Sequence, residues 1–439
     1  MSFIADKQTL EDLNLLGKYK PHSVYGLFNA KVHTTGGERL LEEMFKQPLS
    51  DDEEINRRSK TFQYFEHKEL TFPFVKDQLD LMEDYLAGGS GGNPLSALSG
   101  VLHKKIWSDL FRDEAYGILY AGLLMATGVL ITLADVLDKL DEESPYSSQI
   151  LPLKVILDDR RLVALRAERG GMPLPLRKIA GYDHLLRHVL REEMEQIMRG
   201  IYQLDVHIAV GHVARDRGFS YAWALPAKIH TLSAVAVSHP GIYGAVENPV
   251  SLTRNSNMLF LTGANMAGKS TFMKSFGIAV YLAHMGFPVA AKEMVFSVRD
   301  GIYSSINVPD NLSLGYSHFY AEVLRVKTVA QEVSKGKNLV VIFDELFKGT
   351  NVKDAYDATL AVTAAFAEYR NCFFIISTHI VEVGEVLRRT NDNLQFAYLP
   401  TVMQGTIPRY TYKMEEGITT DRHGMLIIEN EGILEIIQS

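Results

Sequence analysis

Four residues carry the first chemistry in the chain. Gly263, Gly268, Lys269 and Ser270 satisfy the spacing G-x-x-x-x-G-K-[ST] at every required position. Glycines let the backbone curl until successive N–H groups point at phosphate oxygens, and a helix behind the loop adds its positive N-terminal end. The lysine of such a loop reaches the β- and γ-phosphates, and the neighbouring hydroxyl ligates Mg²⁺. The flanking sequence fits this use. Met258 to Leu261 is an apolar strand ahead of the loop, and Phe272, Phe276 and Val280 follow it at helical spacing. The stretch reads as a nucleoside-triphosphate site.

Three more stretches hold residue types that such a site needs. Asn338 to Glu345 is an apolar run ending in two acids, as a central strand delivers to a nucleotide. Asp344 would hold Mg²⁺, directly or through water, and Glu345 would take a proton from the attacking water. Cys372 to Ser377 is another apolar strand, and it ends at Thr378-His379. His379 at the ligand-facing edge of a sheet would hydrogen-bond the γ-phosphate or that water. Ahead of both, Asp310 to Glu322 opens a helix through Ser313, Gly315 and Ser317, a second place where free N–H groups can meet an anion. Each of these also has an ordinary reading, since strands often end in acids and Ser and Gly often cap helices. The phosphate loop ahead of them is what gives them a role.

The elements that must position these residues fall into two parts. At 439 residues the chain needs more than one core. Residues 1–217 read as helices and residues 218–439 as strands alternating with helices, the pattern of a parallel α/β sheet. In the first part, Leu40, Leu41, Met44 and Phe45 form a helix after the loop Thr34-Thr35-Gly36-Gly37. Pro48 stops it, and Ser50-Asp51-Asp52-Glu53 caps the next helix. Arg57, Arg58 and Lys60 read as a solvated face. Ala87 to Pro94 reads as a linker, and Gly181 to Arg217 as one long helix suited to a lever. Over residues 150–217 basic and acidic side chains interleave, which favours an exposed, salt-bridged surface over a phosphate track.

Composition excludes some classes. Lys and Arg number 45 against 53 Asp and Glu, a formal charge of −8, so a nucleic-acid surface would be a local patch or a partner's contribution. The single cysteine, Cys372, rules out an internal disulfide framework and fits a reducing cytoplasm. The N-terminus lacks the basic and apolar regions of a secretion signal. Ala115 to Ala134 has no charged residue and is long enough to span a bilayer, but Asp113, Glu114 and Asp135 flank it without basic or aromatic anchors on both sides. A helix buried in a bundle is the preferred reading, and a membrane partner is not expected.

The loop Gly263-Ala264-Asn265-Met266-Ala267-Gly268-Lys269-Ser270-Thr271, the Asp310–Glu322 segment, Asp344-Glu345-Leu346-Phe347-Lys348-Gly349-Thr350-Asn351 and Ser377-Thr378-His379 together resemble the ATPase domain of MutS-type DNA mismatch-repair proteins. His239-Pro240, Asn248-Pro249 and the stretch from Leu15 to Leu49 extend the resemblance. It implies an α/β P-loop NTPase domain, ABC-ATPase-like, preceded by an all-α helical core and lever domain. It implies ATP and Mg²⁺ as cofactors, with residues 263–271 on the nucleotide and Asn265 joining Lys269 at the γ-phosphate or the catalytic water. It further implies a homodimer through the ATPase domain, each nucleotide being completed by Ser313, Gly315 and Ser317 of the partner, and ATP binding that moves the helical levers on DNA. Two departures stand out. Leu314 occupies the place of the family's signature serine, which implies slow turnover. The family's mismatch-reading wedge, Phe-x-Glu, has no counterpart, Tyr64-Phe65-Glu66 being only a near miss. The expected function is therefore an ATP-dependent, DNA-acting ATPase of the repair type. The alternative is an ATP-gated module that binds a protein partner and little or no DNA.

Overall fold

The computed structural model describes residues 3–17, 23–88, 94–111, 114–168, 174–306, 318–404, 407–419 and 436–437. The chain forms two compact units that interleave in sequence. One comprises Met1–Leu27, Met44–Ser59 and Ala214–Ser439, the other Phe28–Glu43 and Lys60–Val213, in place of a single cut between 217 and 218. The architecture is helical plus mixed α/β.

The first unit is built on a seven-stranded sheet. Its strands are β1 (Ile4–Ala5), β2 (Met258–Gly263), β3 (Gly301–Ser305), β4 (Leu339–Asp344), β5 (Phe373–Ser377), β6 (Leu394–Leu399) and β7 (Glu415–Glu416), in the spatial order β1-β3-β4-β5-β2-β6-β7. All neighbours run parallel except β6 and β7. Parallel strands are covered on both faces, which is why β4 and β5 read as unbroken apolar runs. Val329, Val341, Phe343, Phe366, Phe374, Ile376 and Val383 form the core between this sheet and its helices. The helix Lys269–His284 is buried continuously from Ser275 to its end. A second, four-stranded sheet was not anticipated: Trp223–Leu225, Glu293–Ser297, Thr231–Val237 and Asn248–Thr253 lie side by side in that order, two of the three pairings antiparallel.

Several local expectations change in this unit. Asp51 Oδ1 caps the helix Asp52–Lys68 by accepting from Glu54 N at 2.9 Å, as read from the sequence. Arg58, however, is not a solvated side chain. Its guanidinium donates to Met285 O at 3.1 Å, and burial lowers its pKa to about 10. The cause is Gly286, whose left-handed φ of 70° turns the chain onto Ile55 and Arg58.

The second unit is all helical among its described residues, with Leu79, Met82, Leu123, Leu130, Leu133, Tyr146, Leu153, Ile197 and Ile201 at its centre. The apolar helix spans Ala115–Leu137, and ten of its 23 residues are buried, Gly122 lying directly against the Tyr85 ring. It is long and apolar enough to cross a membrane. Gly36 and Gly37 belong to the first turn of the helix Thr35–Lys46, not to a loop before it. They are needed there because Tyr202 and Asp205 sit where their Cβ atoms would stand, at 2.3 and 2.7 Å. The long helix expected over 181–217 is divided. Leu176–His184 passes through a π-turn at Leu185–Val189, where Leu190 N bonds Leu185 O at 2.8 Å, and Arg191–Arg217 resumes. At this turn Arg187 is buried against Asp183 at 3.0 Å, with the Tyr85 hydroxyl donating to the same carboxylate oxygen, so Arg187 is no part of an exposed surface. The pairs Arg161–Asp159, Lys178–Glu168 and Arg191–Glu195 do lie outside as expected.

Candidate nucleotide site

The site forms where three adjacent parallel strands end. Asp344 of β4 is the register partner of Ser377 of β5, and Ser377 is the partner of Leu261 in β2, just ahead of the Lys269 loop. Three loop residues adopt left-handed φ: Gly263 at 139°, Met266 at 69° and Gly268 at 104°. Gly263 has no room for a side chain, since a Cβ there would meet Leu399 O of β6 at 3.1 Å. Asn265 and Met266 are exposed at the crown of the loop, Ala264 is half-buried and Ala267 is buried beneath them. Thr271 is exposed one residue beyond Ser270.

Lys269 is only 4% exposed. Its ammonium is folded back along the loop and donates to Gly263 O at 2.8 Å and Ala264 O at 3.1 Å. Burial lowers its pKa, while the charges of Glu345 and Asp344 act in the opposite sense. Ser270 Oγ donates to Asp344 Oδ2 at 2.5 Å, and the Ser377 hydroxyl donates to the other carboxylate oxygen. Among the described residues no cluster of three or more His, Cys, Asp or Glu could cage a metal ion alone. Mg²⁺ bound with a nucleotide needs no such cage, because phosphates and waters fill most of its octahedron. A hydroxyl and a carboxylate converging beside a phosphate loop fit that requirement.

Glu345 follows β4 in a left-handed conformation, φ 53°, and Phe347 repeats it at 61°. The Glu345 amide N donates to Ser377 O at 3.0 Å, which ties this strained turn to β5. His379 Nε2 stands 3.2 Å from Glu345 Oε2. The hydrogen bond to His379 holds the Glu345 carboxyl below its usual pKa, against the raising effect of burial, and the positive charges of His379 and Lys269 add to it. A carboxylate kept ionised at the mouth of a phosphate loop can accept a proton.

Ser313, Gly315 and Ser317, with Leu314, lie outside the described residues; the helix behind them is described from His318 to Ser334. Two contributors escaped the sequence reading. Ser377 was legible only as the residue before Thr378-His379, yet it touches both Asp344 and the Glu345 backbone. Tyr412 carries no local signal at all. Its ring lies 3.0 Å from where a Gly268 Cβ would stand, and the Asn248 side chain fixes it there by donating to Tyr412 O at 2.9 Å and accepting from Met414 N at 2.7 Å. An aromatic ring beside a phosphate loop can stack on a base.

Residues 259–439 match a family model described as MutS domain V. Over 269 residues the chain is 27% identical to the DNA mismatch repair protein MutS of Petrotoga mobilis (strain DSM 10674 / SJ95), an alignment that covers 58% of this chain and 32% of that protein. The chain thus spans about a third of the length of the curated relative it matches. The domain V match begins inside β2, just before the loop, and takes in Lys269, Asp344, Glu345, Ser377, His379 and Tyr412, so the site as a whole lies in the part of the chain that is similar to MutS domain V.

Proposed function

We propose that this protein is an ATPase related to mismatch repair, which binds Mg²⁺-ATP on the Lys269 loop and hydrolyses it at sites shared by two copies, acting on DNA. The observation that carries the reading is the convergence of Lys269, the Ser270–Asp344 pair and the Glu345–His379 pair at the ends of three adjacent strands. On this reading the loop amides and Lys269 bind and orient the triphosphate, and Gly263 and Gly268 let the backbone approach it. Ser270 and Asp344 would hold Mg²⁺, which neutralises phosphate charge when bound. Glu345 draws the proton from a water aligned with the γ-phosphate, and His379 keeps that carboxylate ionised and oriented. Asn265, exposed at the crown of the loop, would meet the γ-phosphate, and Tyr412, beside Gly268, would stack on the base.

Nucleotide binding and turnover, measured separately, test the chemistry. Lys269→Ala should abolish ATP binding, whereas Glu345→Ala should retain ATP and lose turnover by about a hundredfold or more. Normal hydrolysis by Glu345→Ala would remove Glu345 from the role of base. The net charge of −8 favours the second reading, an ATP-gated module that binds a protein partner with little or no DNA. Binding to plain, branched and mismatched duplexes across a salt series separates the two. DNA action requires affinity that depends on nucleotide and falls steeply with salt. Negligible, salt-independent binding would leave the assembly reading.

A further inference from the structure

The N-terminal arm is the part of the ATPase unit that the proposed chemistry leaves unused, and it is anchored more heavily than a sheet edge requires. β1 adds to β3 so closely that a Cβ on Gly301 would lie 2.4 Å from Ile4 O. Behind it, Asp6 caps the helix Lys7–Asp12 by accepting from Thr9 N at 3.0 Å, and it pairs with Arg325. The Thr9 hydroxyl accepts from Ser304 N at 2.9 Å and from Arg325 Nη2 at 3.2 Å. Asp12 Oδ2 accepts from Ser304 Oγ at 2.8 Å and from Ile306 N at 2.9 Å. Arg325, 7% exposed, also donates through Nε to Ser304 O at 3.1 Å.

Both anchored elements lead to the turn that carries Glu345. Ser304 and Ser305 are the register partners of Ile342 and Phe343, the last two residues of β4 before Asp344. The helix that carries Arg325 begins against the same turn. A Cβ on Gly349 would meet Phe319 N at 2.8 Å, and the Phe319 and Phe347 rings pack 6.1 Å apart. A side-chain network that fixes β3 and this helix together therefore braces the Asp344–Gly349 turn from two sides.

We propose that Asp6, Thr9, Asp12 and Arg325 are positioning residues for ATP hydrolysis, clasping β3 and the helix His318–Ser334 so that Glu345 is held in its reactive place. This rests on Glu345 being the base. None of the four lies on the phosphate loop, so they govern turnover and leave ATP affinity alone.

The test uses the full chain with Thr9→Val, Thr9→Ser and Arg325→Met. Thr9→Val keeps the shape and removes the hydroxyl, leaving Ser304 N–H buried without its acceptor. Turnover should fall about tenfold to a hundredfold in Thr9→Val and Arg325→Met, the scale of a small misplacement of a reacting group. ATP affinity should stay within about twofold of wild type, and Thr9→Ser should restore turnover. Hydrogen exchange gives a readout independent of activity: the Glu345 amide should exchange faster in Thr9→Val, with the Lys269–His284 helix unchanged. Unaltered turnover in Thr9→Val, affinity falling in step with turnover, or equal impairment of Thr9→Ser would overturn the proposal. If the wild-type protein hydrolyses no ATP, the ATPase reading fails by itself. The exchange result then decides the clasp alone, faster exchange at Glu345 supporting it and unchanged exchange ending it.

Discussion

At the residue scale, the site depends on which groups stay charged. His379 depresses the Glu345 pKa, so the carboxylate form survives to lower pH than an ordinary glutamate would allow. Turnover that requires the carboxylate is lost only when pH drops below that depressed value. Removing the histidine returns Glu345 toward the usual range near 4.3, so the acid limb of the kcat profile moves to higher pH. A His379→Ala profile whose acid limb stays in place would show that the Glu345–His379 contact does not tune the base. Ser377 acts on the other carboxylate. Ser377→Ala removes the hydroxyl that fixes Asp344, with its longer 3.4 Å contact from Glu345 N, and spares the backbone oxygen that accepts from Glu345 N at 3.0 Å. The expected result is weakened Mg²⁺ binding, read as a higher metal concentration for half-maximal turnover, with Lys269-dependent nucleotide binding intact.

At the element scale, the helix behind the loop holds a group that reports on pH. His284 is fully buried, its Nδ1 facing Val280 O at 2.8 Å and its Nε2 accepting from Arg299 N at 2.9 Å. Burial drives its pKa down to about 3, with the nearby Arg299 charge acting in the same sense. The sign follows from linkage. Above the unfolded value near 6.5 both states are neutral, and below it only the unfolded chain takes up the proton, so stability falls by about 1.4 kcal/mol per pH unit until the folded value is reached. Urea titrations between pH 7 and 4 should show this slope in the unfolding of the first unit. His284→Gln should reduce it even if it lowers stability overall, the remainder coming from groups such as His230 and His239, whose pKa values burial also lowers. What could be read from sequence at this scale followed from periodicity and spacing: β2, β4 and β5 are apolar runs with unmistakable ends, and the Lys269 loop is a fixed pattern. What could not be read was non-local. No spacing shows that Asp6, Thr9 and Asp12 meet Ser304 and Arg325, or that Tyr412 lies over Gly268. The π-turn at Leu185–Val189 is hidden for a different reason, because its apolar positions keep helical periodicity while one hydrogen bond changes register.

At the scale of the whole molecule, the proposed function makes assembly depend on nucleotide. A copy that binds ATP on its own loop gains dimer stability only if the partner adds affinity at that site, since a ligand shifts an equilibrium by its differential affinity alone. If the partner's Ser313, Gly315 and Ser317 strengthen ATP binding about tenfold at each of two symmetric sites, the dimer tightens about a hundredfold, roughly 2.7 kcal/mol. Sedimentation of Glu345→Ala, which should hold ATP without consuming it, reads this directly. The monomer–dimer midpoint should move to about a hundredfold lower protein concentration with Mg²⁺-ATP than without. Lys269→Ala should show no shift. Gly315→Asp, which sets a negative charge against the partner's phosphates, should keep ATP on its own loop yet lose the shift. A midpoint indifferent to nucleotide in Glu345→Ala would mean that each copy completes its own site, and the shared-site reading would fall while the single-chain chemistry stood.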